Sequence, residues 1–252
     1  MSSQERSVDQ AELWDELYPI LHEGCQYSPL HLSLARIIRH ELAKLRFSTL
    51  LDVGCGNGSK LAMLNLPPSC QVVGVDISEG ALSLARSTVE AAEFQLLDVE
   101  KEPPPGRFDV VICSEVLEHL GSDVDALKNI RESCGGSFII TVPAKPLDPI
   151  GRQVGHIRHY TKQELHDKLT GAGFEVVQMR LWGFPFHTLY RIILNRFSDR
   201  ARLNLGGGSK IGPLRRLILW LLSQSFKLNV LPLGREIIAV ARPASGYAEG
   251  NG

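Results

Sequence analysis

Residues Leu50–Lys60 read LLDVGCGNGSK: a short apolar run, an acid, and then Gly54, Gly56 and Gly58 at alternate positions. The run from Thr49 to Val53 has the length and composition of a buried strand, and KLAMLNL after the glycines has helical spacing. Glycine lacks a Cβ, so a chain that places three of them in one strand-to-helix turn can bend sharply and let another molecule touch its backbone. In doubly wound sheets that first turn is where ligands bind.

The alternation continues on both sides. QVVGVD, EFQLLD, RFDVVICS, GSFIITVP, FEVVQMRLW and REIIAVARP read as strands. EGALSLARSTVEA, DVDALKNIRESC and TKQELHDKLTGAG read as helices between them. Seven strands rich in β-branched residues, alternating with helices, predict an α/β fold: a Rossmann-like, mostly parallel sheet with helices on both faces. The chain is expected to form one domain over residues 1–252. Residues 1–46 are read as a helical cover, with apolar periodicity over Asp9–Leu21 and again from Pro29 onward. Residues 184–234 are read as a helical insertion before the last strand. It holds eight basic residues against one acid, Asp199, a net +7 in a chain whose total is −1.

The composition, 44% hydrophobic and 22% charged over 252 residues, is that of a globular domain. A net charge of −1 gives no field that would draw in nucleic acid. The five cysteines, Cys25, Cys55, Cys70, Cys113 and Cys134, lack metal-type spacing and read as reduced thiols. The N-terminal stretch is polar with no signal-like apolar core, and LILWLL is far shorter than the roughly 20 residues of a membrane span. A cytoplasmic location is expected, with peripheral membrane contact through 184–234 as an alternative.

Acids around the glycines narrow the ligand. Asp76 ends the second strand, 22 positions after Gly54, where a carboxylate can accept from both hydroxyls of a ribose. Asp98 is read at the end of the third strand, suited to an exocyclic amine of adenine, and Ile77 can pack on the base. A dinucleotide site would show G-x-G-x-x-G, whereas here the spacing is G-x-G-x-G with Asp52 just before it. An acid at that point repels phosphate and attracts a cation. The ligand inferred is adenosine joined to a positively charged group.

LDVGCGNG, VVGVDIS, LLDVE and FDVVICSEVLEHL, in this order and spacing, resemble the motifs of class I S-adenosylmethionine-dependent methyltransferases over Leu50–Val142. GHIRHYTKQELHDKLTGAGFEVV extends the resemblance toward the small-molecule, ubiquinone-biosynthesis-like branch. The resemblance implies strand order 3-2-1-4-5-7-6 with the last strand antiparallel. It implies S-adenosylmethionine as cofactor, with Gly54, Gly56 and Gly58 along its methionine part, Asp76 on the ribose and Asp98, with Val99 beside it, at the adenine. Ser114 and Glu115 lie in the loop that covers the cofactor in that family.

Such a cofactor carries a reactive methyl, so the protein must align an acceptor and, for a hydroxyl acceptor, take its proton. His156 and His159 are the candidate bases, His119 is a third, and Arg158 and Tyr160 are candidate substrate contacts. The H-x-x-H spacing of His156 and His159 is too thin for a metal site, so none is expected. The expected reaction is O-methylation of a small organic acceptor. The alternatives are a non-catalytic S-adenosylmethionine-binding regulatory module and a methyltransferase for a lipid or prenylated substrate at a membrane surface. No nucleic acid partner is expected.

Overall fold

The computed structural model describes Glu12, Trp14, Asp15 and residues 27–196, 212–229 and 231–245. The elements run α1 (Pro29–Leu42), β1 (Thr49–Val53), α2 (Ser59–Ala62), β2 (Gln71–Asp76), α3 (Glu79–Thr88), β3 (Glu93–Leu96) and β4 (Phe108–Ser114). Then come α4 (Asp123–Ser133), β5 (Cys134–Pro143), α5 (Pro149–Gln153), α6 (Lys162–Gly171), β6 (Phe174–Phe184), α7 (Phe186–Arg196), α8 (Pro213–Ser225), a 3-10 turn (Phe226–Leu228) and β7 (Leu231–Pro243). The seven strands form one sheet in the order β3-β2-β1-β4-β5-β7-β6. β1 to β5 pair in parallel, and β7 runs antiparallel to both β5 and β6. The expected order is therefore the observed one.

Both faces of the central strands are covered, which is why those strands are apolar at successive positions rather than alternate ones. Leu51, Val111 and Ile140 pack against Ala126, Leu127 and Ile130 of α4 and Leu165 and Leu169 of α6. Leu50, Val110, Ile112 and Ile139 pack against Ala35, Ile38 and Leu42 of α1. Helix starts are fixed by side-chain caps that satisfy otherwise unpaired N–H groups: Ser78 for α3, Asp148 for α5, and Thr161 with Glu164 in a reciprocal capping box for α6.

Two expectations differ in detail. The third strand ends at Leu96, so Asp98 sits in the loop after it. The helix after the glycine turn is a single turn, because left-handed Asn65 (φ 54°) and the Pro67–Pro68 pair stop it. Of the helical pattern over Asp9–Leu21, only Trp14 and Asp15, with Glu12, lie among the described residues. Pro29–Leu42 packs on one face of the sheet.

Candidate active site

The glycine turn leaves β1 with the Gly54 and Cys55 N–H groups donating to the Val75 carbonyl at 2.8 and 3.1 Å, which ties it to β2. Gly54, Gly56 and Gly58 all adopt positive φ, 67°, 55° and 73°. A Cβ on Gly54 would stand 2.3 Å from Val116 Cγ2 across the pocket. The Gly56 N–H donates to Asp76 Oδ2 at 2.8 Å. At Gly58 a Cβ would meet the Ala85 backbone at 3.3 Å, so this glycine lets the turn pack against α3. The three residues serve three purposes, and of them Gly54 lines the pocket.

That pocket opens above the ends of β1, β2 and β4. Of the residues expected at the cofactor, Gly54, Asp76, Ile77, Asp98, Val99 and Glu115 line it, joined by His119 and by Trp14 from the N-terminal segment. Asp52, Gly56, Gly58 and Ser114 stand behind its wall. Asp15, next to Trp14, accepts from the Ser78 hydroxyl and from the Gly80 N–H, which fixes that segment to the start of α3. Four acids line the pocket, Asp76, Asp98, Glu100 and Glu115, with no lysine or arginine among the described lining residues. Lys60 is the nearby cation, and its Nζ donates to the Ser114 carbonyl at 2.7 Å.

Burial pushes the Asp76 carboxyl up to about 6 against the pull of three backbone N–H groups, at Gly56, Ser78 and Ile77. Burial raises Asp52 to about 6 as well, with Lys60 opposing and Asp76 reinforcing. Asp98 accepts from the Glu100 N–H at 3.1 Å and pairs with Lys101 at 2.9 Å. Glu115 has φ 62°, a left-handed conformation unusual for a side-chain-bearing residue, and accepts from the Thr141 hydroxyl at 3.0 Å. Its carboxyl is raised by burial, with Lys60, Thr141 and Arg191 pulling the other way.

These groups fit S-adenosylmethionine. Asp76 accepts the Ser78 N–H on Oδ1 and the Gly56 N–H on Oδ2, and as a pocket-lining carboxylate it is placed to accept from ribose hydroxyls as well. Ile77, Leu97 and Val99 give apolar walls for a flat base, and the acid lining suits a cationic ligand. A pyrophosphate would face four carboxylates, with no lysine or arginine among the described lining residues to offset them.

Next to the pocket, three histidines are brought together from two loops. The loops are knitted by Ile157 N–H to the Glu118 carbonyl (2.9 Å) and by His119 Nδ1 to the Gly155 carbonyl (3.3 Å). His159 Nδ1 lies 3.1 Å from the Pro146 carbonyl, and His159 Nε2 lies 2.9 Å from His156 Nδ1. A carbonyl only accepts, so the protons are assigned in sequence: His159 Nδ1–H donates to Pro146, His159 Nε2 accepts from His156 Nδ1–H, and His156 Nε2 is left with its lone pair. That nitrogen lies 4.0 Å from Glu118 Oε1. Burial, with the neighbouring imidazoles His119 and His159 adding to it, lowers His156 to about 2. Burial lowers His119 to about 4 and also depresses His159. All three are neutral at physiological pH.

The two candidate substrate contacts both make contacts within the protein. Tyr160 is 2% exposed in the core, its hydroxyl 2.8 Å from Asp123 Oδ2 and 3.0 Å from the Leu117 carbonyl, so it has no face for a substrate. Arg158 pairs with Asp123 at 3.2 Å and donates to the Gly121 carbonyl, which commits it to the start of α4. His159, with both ring nitrogens engaged, orients His156 and stands behind it.

Sequence reasoning missed several groups. Glu118 is fully buried, and neither of its carboxylate oxygens has a hydrogen-bond partner. Its carboxyl is driven well above the usual range by burial and by Glu115. Glu118, His119 and His156 bring one donor atom each to within 4.8 Å of one another, a set able to hold a divalent cation. The H-x-x-H spacing could not reveal it, because its members lie 37 positions apart in sequence. From the insertion, Arg191 donates twice to Asp148 Oδ2, at 2.7 and 3.1 Å, and Asn195 donates to the same oxygen at 2.9 Å. His187 and Glu236, both fully buried, stand 3.8 Å apart. The available signal was a polar row at His187, Arg191 and Asn195, spaced i, i+4, i+8 along one helix.

A family model described as "Methyltransferase domain" matches residues 30–179, more than half of the chain. The chain belongs to that family, and so to the class I S-adenosylmethionine-dependent methyltransferases. It is 34% identical over 115 residues to the ubiquinone biosynthesis O-methyltransferase of Pseudomonas paraeruginosa, covering 42% of this chain and 49% of that protein. The match thus spans about half the length of that curated relative. Among solved structures, magnesium protoporphyrin IX methyltransferase from Synechocystis, with S-adenosylhomocysteine bound, superposes with a TM-score of 0.55 at 16% identity, covering 85% of this chain and 83% of that one. The [4+2]-cyclase SpnF superposes with a TM-score of 0.58 at 19% identity, covering 85% and 82%. At those identities the structural likeness speaks for the fold. No helix among the described residues is long and apolar enough to cross a membrane.

Proposed function

We propose that this methyltransferase transfers the methyl group of S-adenosylmethionine to an oxygen of a small organic acceptor, with His156 taking the acceptor's proton. One observation carries the reading: an acid-lined pocket behind a left-handed glycine turn is walled by His119, and His119 packs at 4.7 Å against His156, an imidazole whose free lone pair is fixed by a hydrogen-bonded partner. The cofactor, when bound, supplies an activated methyl on a sulfonium. Asp76 holds its ribose, Asp98 and Val99 face its adenine, and Asp52 and Glu115 favour its positive charge. The gap between His156 Nε2 and Glu118 receives the acceptor hydroxyl. As the oxygen–methyl bond forms and the sulfur–methyl bond breaks, the hydroxyl proton moves to His156 Nε2, and His159 holds that ring in its tautomer. The likeness to the Pseudomonas ubiquinone biosynthesis O-methyltransferase supports oxygen as the acceptor atom.

Calorimetry separates this from the rivals. The protein should bind S-adenosylmethionine and S-adenosylhomocysteine and ignore NAD. Release of S-adenosylhomocysteine should then depend on an added phenol or other hydroxyl acceptor and not on a matched amine. Tight cofactor binding with no turnover across such a panel would favour a regulatory binding module.

The donor set of Glu118, His119 and His156 supports a second reading, in which a divalent cation held there lowers the acceptor hydroxyl's pKa. Turnover abolished by a chelator and restored by a divalent metal would select it.

A further inference from the structure

α7 turns its polar row inward and its apolar row outward. His187 and Arg191 are 0% and 7% exposed, whereas Leu189, Ile192 and Ile193 on the opposite side are 54%, 52% and 48% exposed. α8 repeats the pattern. Leu214, Leu217, Ile218 and Leu221 fall at i, i+3, i+4 and i+7, hence on one face, and each is about half exposed or more, as is Trp220. Single exposed leucines are ordinary on a soluble protein, but rows on two helices of one insertion are not.

The charged residues within these two helices are all basic. Neither α7 nor α8 contains an aspartate or glutamate. Arg196 continues the α7 row, and Arg215 and Arg216 lie within the first turn of α8, Arg216 stacking over Tyr27 at 4.9 Å. Beyond the end of α8 a groove of about 270 Å³ is walled by Arg36, His40 and Lys227, with Trp182 and Phe226 among its apolar residues. Two copies of this face brought together would set arginine against arginine. A surface of phosphates would be attracted to it.

We propose that α7 and α8 form a docking surface for an anionic phospholipid bilayer. The leucine and isoleucine rows and Trp220 enter the acyl boundary, and Arg196, Arg215, Arg216 and Lys227 meet headgroup phosphates. The surface lies on the outside of the insertion whose inner row, through Arg191, reaches the candidate active site. It does not depend on which acceptor that site methylates.

The test is flotation of the full-length protein with vesicles of phosphatidylcholine alone or mixed with phosphatidylglycerol, at low and then raised salt. The expected result is partition into the anionic vesicles about tenfold or more above the neutral ones, weakened by salt. The double variant Leu217→Glu, Ile218→Glu changes residues already half in water, so it should fold and keep its S-adenosylhomocysteine affinity. Its partition should fall by about tenfold or more. Equal partition into both vesicle types, no partition into either, or undiminished binding by the double variant would overturn the proposal. So would a concentration-dependent dimer that the double variant disperses while neither form floats with vesicles, an outcome that assigns the face to a second copy.

Discussion

The Asp76 carboxylate and the Gly56 amide are locked together at 2.8 Å, so the acid placed for the ribose also holds the shape of the glycine turn. Asp76→Ala should therefore do two things. It should weaken S-adenosylhomocysteine binding by about one to two powers of ten. It should also destabilise the protein by about 1–3 kcal/mol, because the Gly56 and Ser78 N–H groups lose their partner. Calorimetry and denaturant unfolding read the two effects separately, and unchanged affinity in the folded variant would remove the ribose assignment.

The same burial makes cofactor binding pH-dependent. Asp76 and Asp52 both titrate near 6, above their ordinary value. A folded-state pKa raised in this way contributes stability below the unfolded value and loses it as pH rises through about 6. The ionised forms are the ones that accept ribose hydroxyls and attract a cationic ligand. S-adenosylhomocysteine should thus bind more tightly, and raise the melting temperature more, at pH 7.5 than at pH 5. A flat or inverted trend would contradict the assignment of these acids.

Gly54→Ala places a Cβ 2.3 Å from Val116 Cγ2 on a residue with φ 67°. Cofactor affinity should fall at least about tenfold, with a stability loss of about 1–2 kcal/mol from the backbone alone. Adding Val116→Ala removes the clash but not the strain. The double variant should regain part of the affinity and little of the stability. Full recovery of both would show that left-handed geometry at Gly54 is dispensable.

Because His156 and His119 are held at about 2 and about 4, they remain unprotonated well below the ordinary histidine range. The pH profile of kcat/KM should therefore show no fall between pH 7.5 and 6 arising from these rings. His156→Ala should lower kcat by about two to four orders of magnitude. His159→Ala should cost less and should reintroduce pH dependence nearer 6.5, since it frees the His156 tautomer and removes a neighbouring ring. Equal losses with wild-type profiles in both variants would indicate a structural role only.

His187, sealed between Trp182 and Phe226, is lowered by burial to about 3. The unfolded chain takes up this proton first, so the stability contribution is complete above 6.5 and drains away as pH falls toward 3. His187→Phe removes that drain. The stability advantage of wild type over variant should shrink by about 1.4 kcal/mol per pH unit below 6.5, measured by denaturant unfolding at a series of pH values.

The sheet was legible because its signal is local and repeated: β-branched runs at QVVGVD or GSFIITVP, cut by glycine and capped helix starts, leave few other architectures. The candidate cofactor pocket could be proposed for the same reason, since Gly54 follows β1, Asp76 ends β2 and Asp98 follows β3. The catalytic cluster was legible only as candidates. His159 is anchored to the Pro146 carbonyl through Nδ1 while His156 meets only the His159 ring among the described hydrogen bonds, and spacing carries no information about that. Tyr160 and Arg158 read as polar groups beside histidines. The side chain that consumes both is Asp123, 37 and 35 positions earlier in sequence. Glu118 was hidden inside a motif already explained by Glu115. Glu236 lies in a strand run, REIIAVARP, whose pattern gives no sign that the fold seals this carboxyl beside His187, 49 positions earlier.

β7 runs opposite to its neighbours, and this governs more than the sheet. β6 finishes at the same rim where β7 begins, so anything spliced between them starts and stops beside the chemistry and perturbs no strand. The first three strands, by contrast, are joined by short links that must keep the cofactor's shape. Length can be added at one edge of this scaffold without retuning the other. A lineage could therefore exchange the cap, and with it the guest and the place of work, while the methyl-donating half stays untouched.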